Sequence, residues 1–253
     1  MAPLVLLKKI TKIFNGDHAL DQVDFSLESN EIVGLLGDNG AGKTTLVKVL
    51  AGVHPPDSGE LIIKGRKIDF RDYSVRKARD LGVETVHQDR CLGDKQPLWR
   101  NIFVGRHLTS RLGFIKIRQE KEETMRILTE HLSLSGLGVH PDSPAEILSG
   151  GEKQGLAIGR AMYFFSDVII LDEPTTALSV KEVDKVLNFI RKIKEHGKSC
   201  LYISHNLHHL YSVCDRFVVL HHGRVAAHFN KTTTSLDDLA AALFSVANGS
   251  PII

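Results

Sequence analysis

Gly37-Asp38-Asn39-Gly40-Ala41-Gly42-Lys43-Thr44 fits the pattern G-x-x-x-x-G-K-[ST], and its neighbours give the match a structural context. Upstream, Glu31-Ile32-Val33-Gly34-Leu35-Leu36 reads as a short buried strand; downstream, Thr45-Leu46-Val47-Lys48-Val49-Leu50 opens a helix. Strand, glycine-rich loop and helix in that order form a phosphate cradle. Glycines let successive backbone N–H groups turn inward around an anion, and the helix N-terminus adds partial positive charge. Lys43 has the length to reach the outer phosphates, and the Thr44 hydroxyl is a ligand for Mg²⁺. The competing reading is an accidental glycine-rich turn. With Gly at about 7% of average composition, the four fixed positions match by chance in only about one or two chains in a hundred of this length. The flanking strand and helix lower that further, so the stretch implies binding of a nucleoside triphosphate.

Bulk properties narrow the class. The 253 residues suffice for one large domain or two small ones. Lys and Arg number 32 against 30 Asp and Glu, a net charge of +2 that makes no electrostatic case for a nucleic-acid partner. No apolar run approaches the roughly 18 residues of a membrane-spanning helix. In Met1-Ala2-Pro3-Leu4-Val5-Leu6-Leu7-Lys8-Lys9 the lysines follow the apolar stretch and no small-residue cleavage site appears, so a first strand is expected rather than a signal peptide. Cys91, Cys200 and Cys214 form no metal or redox spacing and read as reduced thiols of a cytosolic protein.

Along the chain, no second phosphate loop and no internal repeat occur. Leu61-Ile62-Ile63 and Lys67-Ile68-Asp69-Phe70 flank Lys64-Gly65-Arg66, a hairpin signal, and His54 to Gly59 is a turn cluster. Arg118 to Leu132 is predicted helical, with Met125, Leu128 and Leu132 on one face, and Ser133 to Pro144 reads as a loop. Then follow a helix (Gly151 to Phe164), a strand (Val168 to Leu171), a helix (Val180 to Lys194) and a strand (Cys200 to Ser204). Phe217 to Leu220, a turn at His222-Gly223, and Val225 to Phe229 close the series. Strands alternating with helices predict a mostly parallel α/β core.

Two further stretches carry chemistry. Val168-Ile169-Ile170-Leu171-Asp172-Glu173 is an apolar run ending in two carboxylates, 129 residues from Lys43 to Asp172. A buried strand delivering acids at its C-terminal edge presents Asp172 to Mg²⁺ and leaves Glu173 to polarise an attacking water. Standing alone, such a strand is as often one meeting a solvated turn. In Leu148-Ser149-Gly150-Gly151-Glu152-Lys153-Gln154, a serine and two glycines precede a helical run, which repeats the anion-binding logic. In isolation that would be an ordinary Ser N-cap.

Taken in order, Gly37–Thr44, Gln88 in Val86-His87-Gln88-Asp89, Leu148–Gln154, Val168–Glu173 and His205 in Ile203-Ser204-His205 resemble the Walker A, Q-loop, signature, Walker B and switch-histidine elements of the ATP-binding cassette (ABC) ATPases. The resemblance covers essentially the whole chain. It implies an α/β fold: a P-loop NTPase core with mostly parallel sheet, an N-terminal antiparallel β subdomain and an inserted helical subdomain at about residues 90–160, within one domain spanning 1–253. It implies that ATP is held by Gly37, Asp38, Asn39, Gly40, Ala41, Gly42, Lys43, Thr44 and Thr45, with Phe14 stacking on adenine and Mg²⁺ held by Thr44, Gln88 and Asp172. Catalysis is implied for Lys43, Gln88, Glu173 and His205. Ser149, Gly150, Gly151 and Glu152 would meet ATP in trans, in a head-to-tail homodimer with two ATP sites.

The strings Gly37–Lys43, Asn101-Ile102-Phe103-Val104-Gly105-Arg106 and Ser204-His205-Asn206-Leu207-His208-His209 further resemble the sugar-import branch. That implies membrane permease subunits as partners, an extracytoplasmic solute-binding protein indirectly, and a cytoplasmic position on the inner face of the membrane. Permease contact is expected around Arg90 to Arg106. Thr176-Ala177-Leu178-Ser179 departs from the family's usual Ser-Ala-Leu-Asp, since a serine replaces the carboxylate that helps couple the two sites. The rival, a soluble ABC ATPase that remodels DNA or ribosomes, is disfavoured. Just over a hundred residues separate Thr44 from Leu148, too few for long coiled coils, and one cassette is present rather than two. A nucleotide-binding module without catalysis is opposed by the intact Glu173 and His205.

Overall fold

Alternating apolar and polar residues near the N-terminus build the first sheet. Val5, Leu7 and Ile10 are buried while Lys8 and Lys9 are exposed, so β1 (Val5–Phe14) offers one apolar face. It pairs antiparallel with β2 (Asp17–Leu27) and with β4 (Ser58–Ile63), and the sheet runs β2-β1-β4-β5, β5 being Arg66–Lys67. The connecting turn has Lys64 at φ 52° and Gly65 at φ 72°, the twist-matched hairpin geometry. The expected second strand over Lys67 to Phe70 is shorter and earlier. Asp69 folds onto the backbone N–H and guanidinium of Arg71, and this Asx-type turn takes the chain off the ladder. These elements belong to a computed structural model that describes residues 2–86, 92–131, 138–164 and 166–248.

The second sheet contains β3 (Ile32–Leu36), β6 (Val83–Val86), β7 (Val168–Asp172), β8 (Ser199–Ile203), β9 (Arg216–His221) and β10 (Arg224–Asn230), in the order β10-β9-β3-β8-β7-β6. β3, β7, β8 and β9 run parallel, and β10 returns antiparallel through the turn at His222-Gly223. Continuous apolar runs make these central strands because both faces are covered. Val33, Leu35, Leu201 and Ile203 join one cluster with Leu46, Val47 and Leu50 of α1 (Lys43–Leu50) and with Leu7, Leu20 and Leu61 of the first sheet. On the other face, a Cβ at Gly34 would lie 3.0 Å from the Phe217 ring and 3.1 Å from Cys214 Sγ, so any side chain there would crowd its neighbours. Ile170 is wholly buried in this cluster. Ile170→Ala is therefore expected to destabilise folding by about 2–5 kcal/mol, measured as a lower denaturant midpoint at unchanged slope.

Outside the expected helical subdomain, three helices were not foreseen from the sequence: α2 (Val75–Asp80), α7 (Leu207–Val213) and α8 (Leu236–Ala247). Each carries a legible start. Ser74 and Asn206 accept N–H groups three residues on, and Ser235 forms a capping box with Asp238. The other α-helices among the described residues are α3 (Leu98–Phe103), α4 (Ile117–Arg126), α5 (Gly150–Tyr163) and α6 (Val180–Glu195). After α4 the chain passes into a π-helical turn, Ile127–His131, rather than continuing as α-helix. The Thr124 and Thr129 hydroxyls donate to the carbonyls of Glu120 and Met125, four residues back, which loosens the ladder. The expected apolar face is accordingly altered: Thr124, Ile127 and Leu128 are buried, Met125 is exposed, and Leu132 lies outside the described residues.

The chain forms two compact units. The first comprises Met1–Thr85, Ser166–Glu173 and Ile193–Ile253, with both sheets; the second comprises Val86–Phe165 and Pro174–Lys192. In the second, Phe103 packs edge-on against Tyr163 and Phe164, joining α3 to the end of α5.

Candidate active site

Strand order brings the chemistry of the first unit together. Leu35 pairs with Ile203, and Ile203 pairs with Asp172, so β3, β8 and β7 end side by side. The phosphate loop, Ser204-His205 and Asp172-Glu173 all leave that one edge, where parallel α/β sheets place their ligands.

Tertiary contacts shape the loop as strongly as its own glycines do. Gly37 has φ 143° and Gly42 φ 104°. A Cβ on Gly37 would lie 2.3 Å from the Leu220 carbonyl, and one on Gly42 2.6 Å from the Ala19 carbonyl. The Gly223 N–H donates to the Ala41 carbonyl at 3.0 Å. Ala19, Leu220 and Gly223 thus buttress the cradle, a role invisible in the sequence because all three are distant from it. Lys43 opens α1, and its Nζ donates to the carbonyls of Gly37 at 2.5 Å and Asp38 at 2.9 Å. Burial pulls its pKa down, while Glu173, Asp38 and Asp172, in that order, act to raise it. The ammonium group is therefore centred in the loop and within the field of both acids. Thr44 and Thr45 occupy the first turn of α1, with Thr44 exposed.

Asp172 ends β7. Glu173 sits at φ 50°, a conformation uncommon for a side chain of its kind, and is held there because its N–H donates to the Ile203 carbonyl at 3.0 Å. Its Oε1 lies 3.3 Å from His205 Nε2; the glutamate is mostly buried and the histidine mostly exposed. The carboxylate thus faces His205 across the strand ends. Phe14, the last residue of β1, is half-exposed, edge-on to the His54 ring at 5.3 Å, with Lys12 Nζ 5.4 Å from its centroid. Gln88 lies outside the described residues.

The second unit contains the serine-glycine turn. Ser149 caps α5 in a full capping box: Glu152 Oε2 accepts the Ser149 N–H at 2.9 Å, and Ser149 Oγ accepts the Glu152 N–H. Burial works to raise the Glu152 carboxyl, but hydrogen bonds from Lys185 and Ser149 outweigh it and hold the group below its usual range. The sequence implied an anion site there, filled only by ATP in trans. The structure corrects this, because the Gly151 N–H donates to Glu182 Oε1 at 3.1 Å. Glu182 was missed, although Ser179-Val180-Lys181-Glu182 is a capping-box string. Ser179 donates to it through backbone and hydroxyl; those bonds first, then Gly151, hold the carboxyl down at about 2.

A phosphate loop after the central strand β3, an acid-tipped strand β7 and a histidine just past the intervening strand β8 define a P-loop nucleotide hydrolase. The family model described as ABC transporter matches residues 20–176. The chain belongs to the ABC transporter family, and its nucleotide site is that of an ATPase. It is 39% identical over 249 residues to the xylose/arabinose import ATP-binding protein of Sulfolobus acidocaldarius, covering 98% of this chain and 97% of that one. A ribose import ATP-binding protein of Caldanaerobacter subterraneus subsp. tengcongensis is 34% identical over 239 residues, 94% of this chain but only 47% of the relative, so the chain spans about half of that protein's length. Among solved structures, a dimeric ATP-binding cassette in a post-hydrolysis state with ADP and Pi superposes with a TM-score of 0.74 at 23% identity, covering 90% of this chain and 98% of the other.

Proposed function

We propose that this chain is the ATP-hydrolysing subunit that energises uptake of a sugar through separate membrane permease subunits. The observation that carries the proposal is the convergence of Lys43, Asp172, Glu173 and His205 at one sheet edge in a chain resembling a pentose importer's ATP-binding protein over 98% of its length. The phosphate loop amides and Lys43 bind the β- and γ-phosphates. Glu173 orients water and accepts its proton as the new O–P bond forms; the bond from the γ-phosphorus to the bridging oxygen breaks, and ADP and phosphate leave. His205, beside Glu173, contacts the γ-phosphate, and Gln88 senses the water. Mg²⁺ fits the donor set: the exposed Thr44 hydroxyl and the Asp172 carboxylate are hard oxygen ligands, few in number, as suits an ion that keeps substrate phosphates and waters. When bound, it would spread charge over the phosphate oxygens.

Each ATP is read as lying between one copy's phosphate loop and Ser149–Glu152 of a second copy; the dimeric state of the superposed cassette supports dimerisation. No helix among the described residues is long and apolar enough to cross a membrane. The permease subunits are read as the chain's attachment to the inner face. The test is purification of the tagged chain from its own cells in mild detergent, with mass spectrometry of co-eluting proteins. A hydrophobic permease is expected, with a solute-binding protein leading on to the sugar. Soluble partners alone, with the chain absent from membranes, would refute transport while leaving the ATPase intact.

A further inference from the structure

The starts of α5 and α6 are fastened to each other twice. Glu182, in the first turn of α6, takes the Ser179 N–H at 3.0 Å and the Ser179 hydroxyl at 2.8 Å on Oε2, and the Gly151 N–H at 3.1 Å on Oε1. One turn along, Lys185 Nζ of α6 donates to Glu152 Oε1 of α5 at 2.9 Å. The helices approach closely: a Cβ on Gly151 would lie 3.0 Å from both the Cβ and the backbone oxygen of Glu182. A side chain at Gly151 would crowd α6, and the Gly151 amide faces a carboxylate of its own chain.

We propose that Glu182 is a positioning residue for ATP hydrolysis, holding the Ser149–Gly151 turn in fixed register with the loop that ends at Ser179. That loop follows Glu173 in the sequence, and the turn is the part read above as meeting the second copy's nucleotide; the inference rests on that head-to-tail reading. A carboxylate bridging amides of two helix starts forms charge-assisted bonds, whereas the Lys185–Glu152 pair, with its lysine half-exposed, contributes less. Fastened together, loop and turn reach the second copy as one piece. Glu182 belongs to neither the phosphate loop nor the acids, so its loss leaves each chain's own nucleotide affinity in place and lowers turnover.

The informative variant is Glu182→Asp. An aspartate three residues after a serine still caps a helix, as Ser235 and Asp238 do in this chain, but it is one methylene too short to keep both links. Glu182→Asp is expected to melt within a few degrees of the wild type and bind a fluorescent ATP analogue with affinity unchanged within about twofold. Its kcat should fall about tenfold, the loss of one charged hydrogen bond from the closed complex. In a Glu173→Gln background the same change should weaken ATP-dependent dimerisation by a similar factor. Wild-type kcat in Glu182→Asp, with Glu173→Gln still dimerising, would overturn the positioning role and spare the head-to-tail reading. A Glu173→Gln chain that stays monomeric at saturating ATP and magnesium would overturn that reading, and the positioning role with it.

Discussion

Replacing Glu173 with glutamine is expected to lower steady-state ATP hydrolysis by about 10²–10⁴ while leaving ATP affinity near the wild-type value. The amide keeps the size of the carboxylate and the backbone N–H bond to Ile203, so the strained φ of 50° persists and the side chain still points across the strand ends. What disappears is the ability to take a proton from water. Binding depends on the phosphate loop, which the substitution does not touch. Calorimetry with ATP and a phosphate-release assay together separate the two effects. In light scattering the variant should accumulate as an ATP-dependent dimer, because closure precedes the step it cannot perform. Turnover within tenfold of the wild type would remove Glu173 from the base role and move attention to the facing His205, 3.3 Å away.

Lys43→Ala should act earlier, on binding. The ammonium group lies in the loop against the Gly37 and Asp38 carbonyls, within the field of three carboxylates. Removing one charge-assisted partner of a phosphate loses about 1.5–3 kcal/mol, or about 10- to 150-fold in affinity. The loss is compounded because Glu173, Asp38 and Asp172 then face the polyphosphate without a compensating cation, so like-charge repulsion adds to the missing attraction. Calorimetry should show weaker binding with the same stoichiometry. Unchanged affinity would contradict the role given to Lys43, whatever happened to the rate.

The two variants differ because their residues belong to different kinds of signal. Lys43 was readable from eight consecutive residues, since a phosphate cradle is a local object made by backbone turns and a helix start. Glu173 was readable as the end of an apolar run, but its chemistry needed a partner, and His205 lies 32 positions away. The capping signals at Ser74, Asn206 and Ser235 were equally local, yet their short helices lack a long apolar period and passed unnoticed. Likewise, the π-helical turn after Arg126 follows from two threonine hydroxyls that a count of apolar positions does not weigh.

Strand runs, helix caps and the phosphate loop were all set within short windows of sequence, because hydrogen bonds between near neighbours and burial of a repeating face need only local chain. The order β3-β8-β7 was not, and it is this order that puts Asp172, Glu173 and His205 beside Lys43. Nor does any local period record that Ala19, Leu220 and Gly223 wall the loop, or that Gly151 gives its amide to Glu182. Those contacts join residues tens to nearly two hundred positions apart. They form only when buried sheets and helices pack into one arrangement, where the close approach of a backbone carbonyl leaves no room for a Cβ at Gly37 and Gly42.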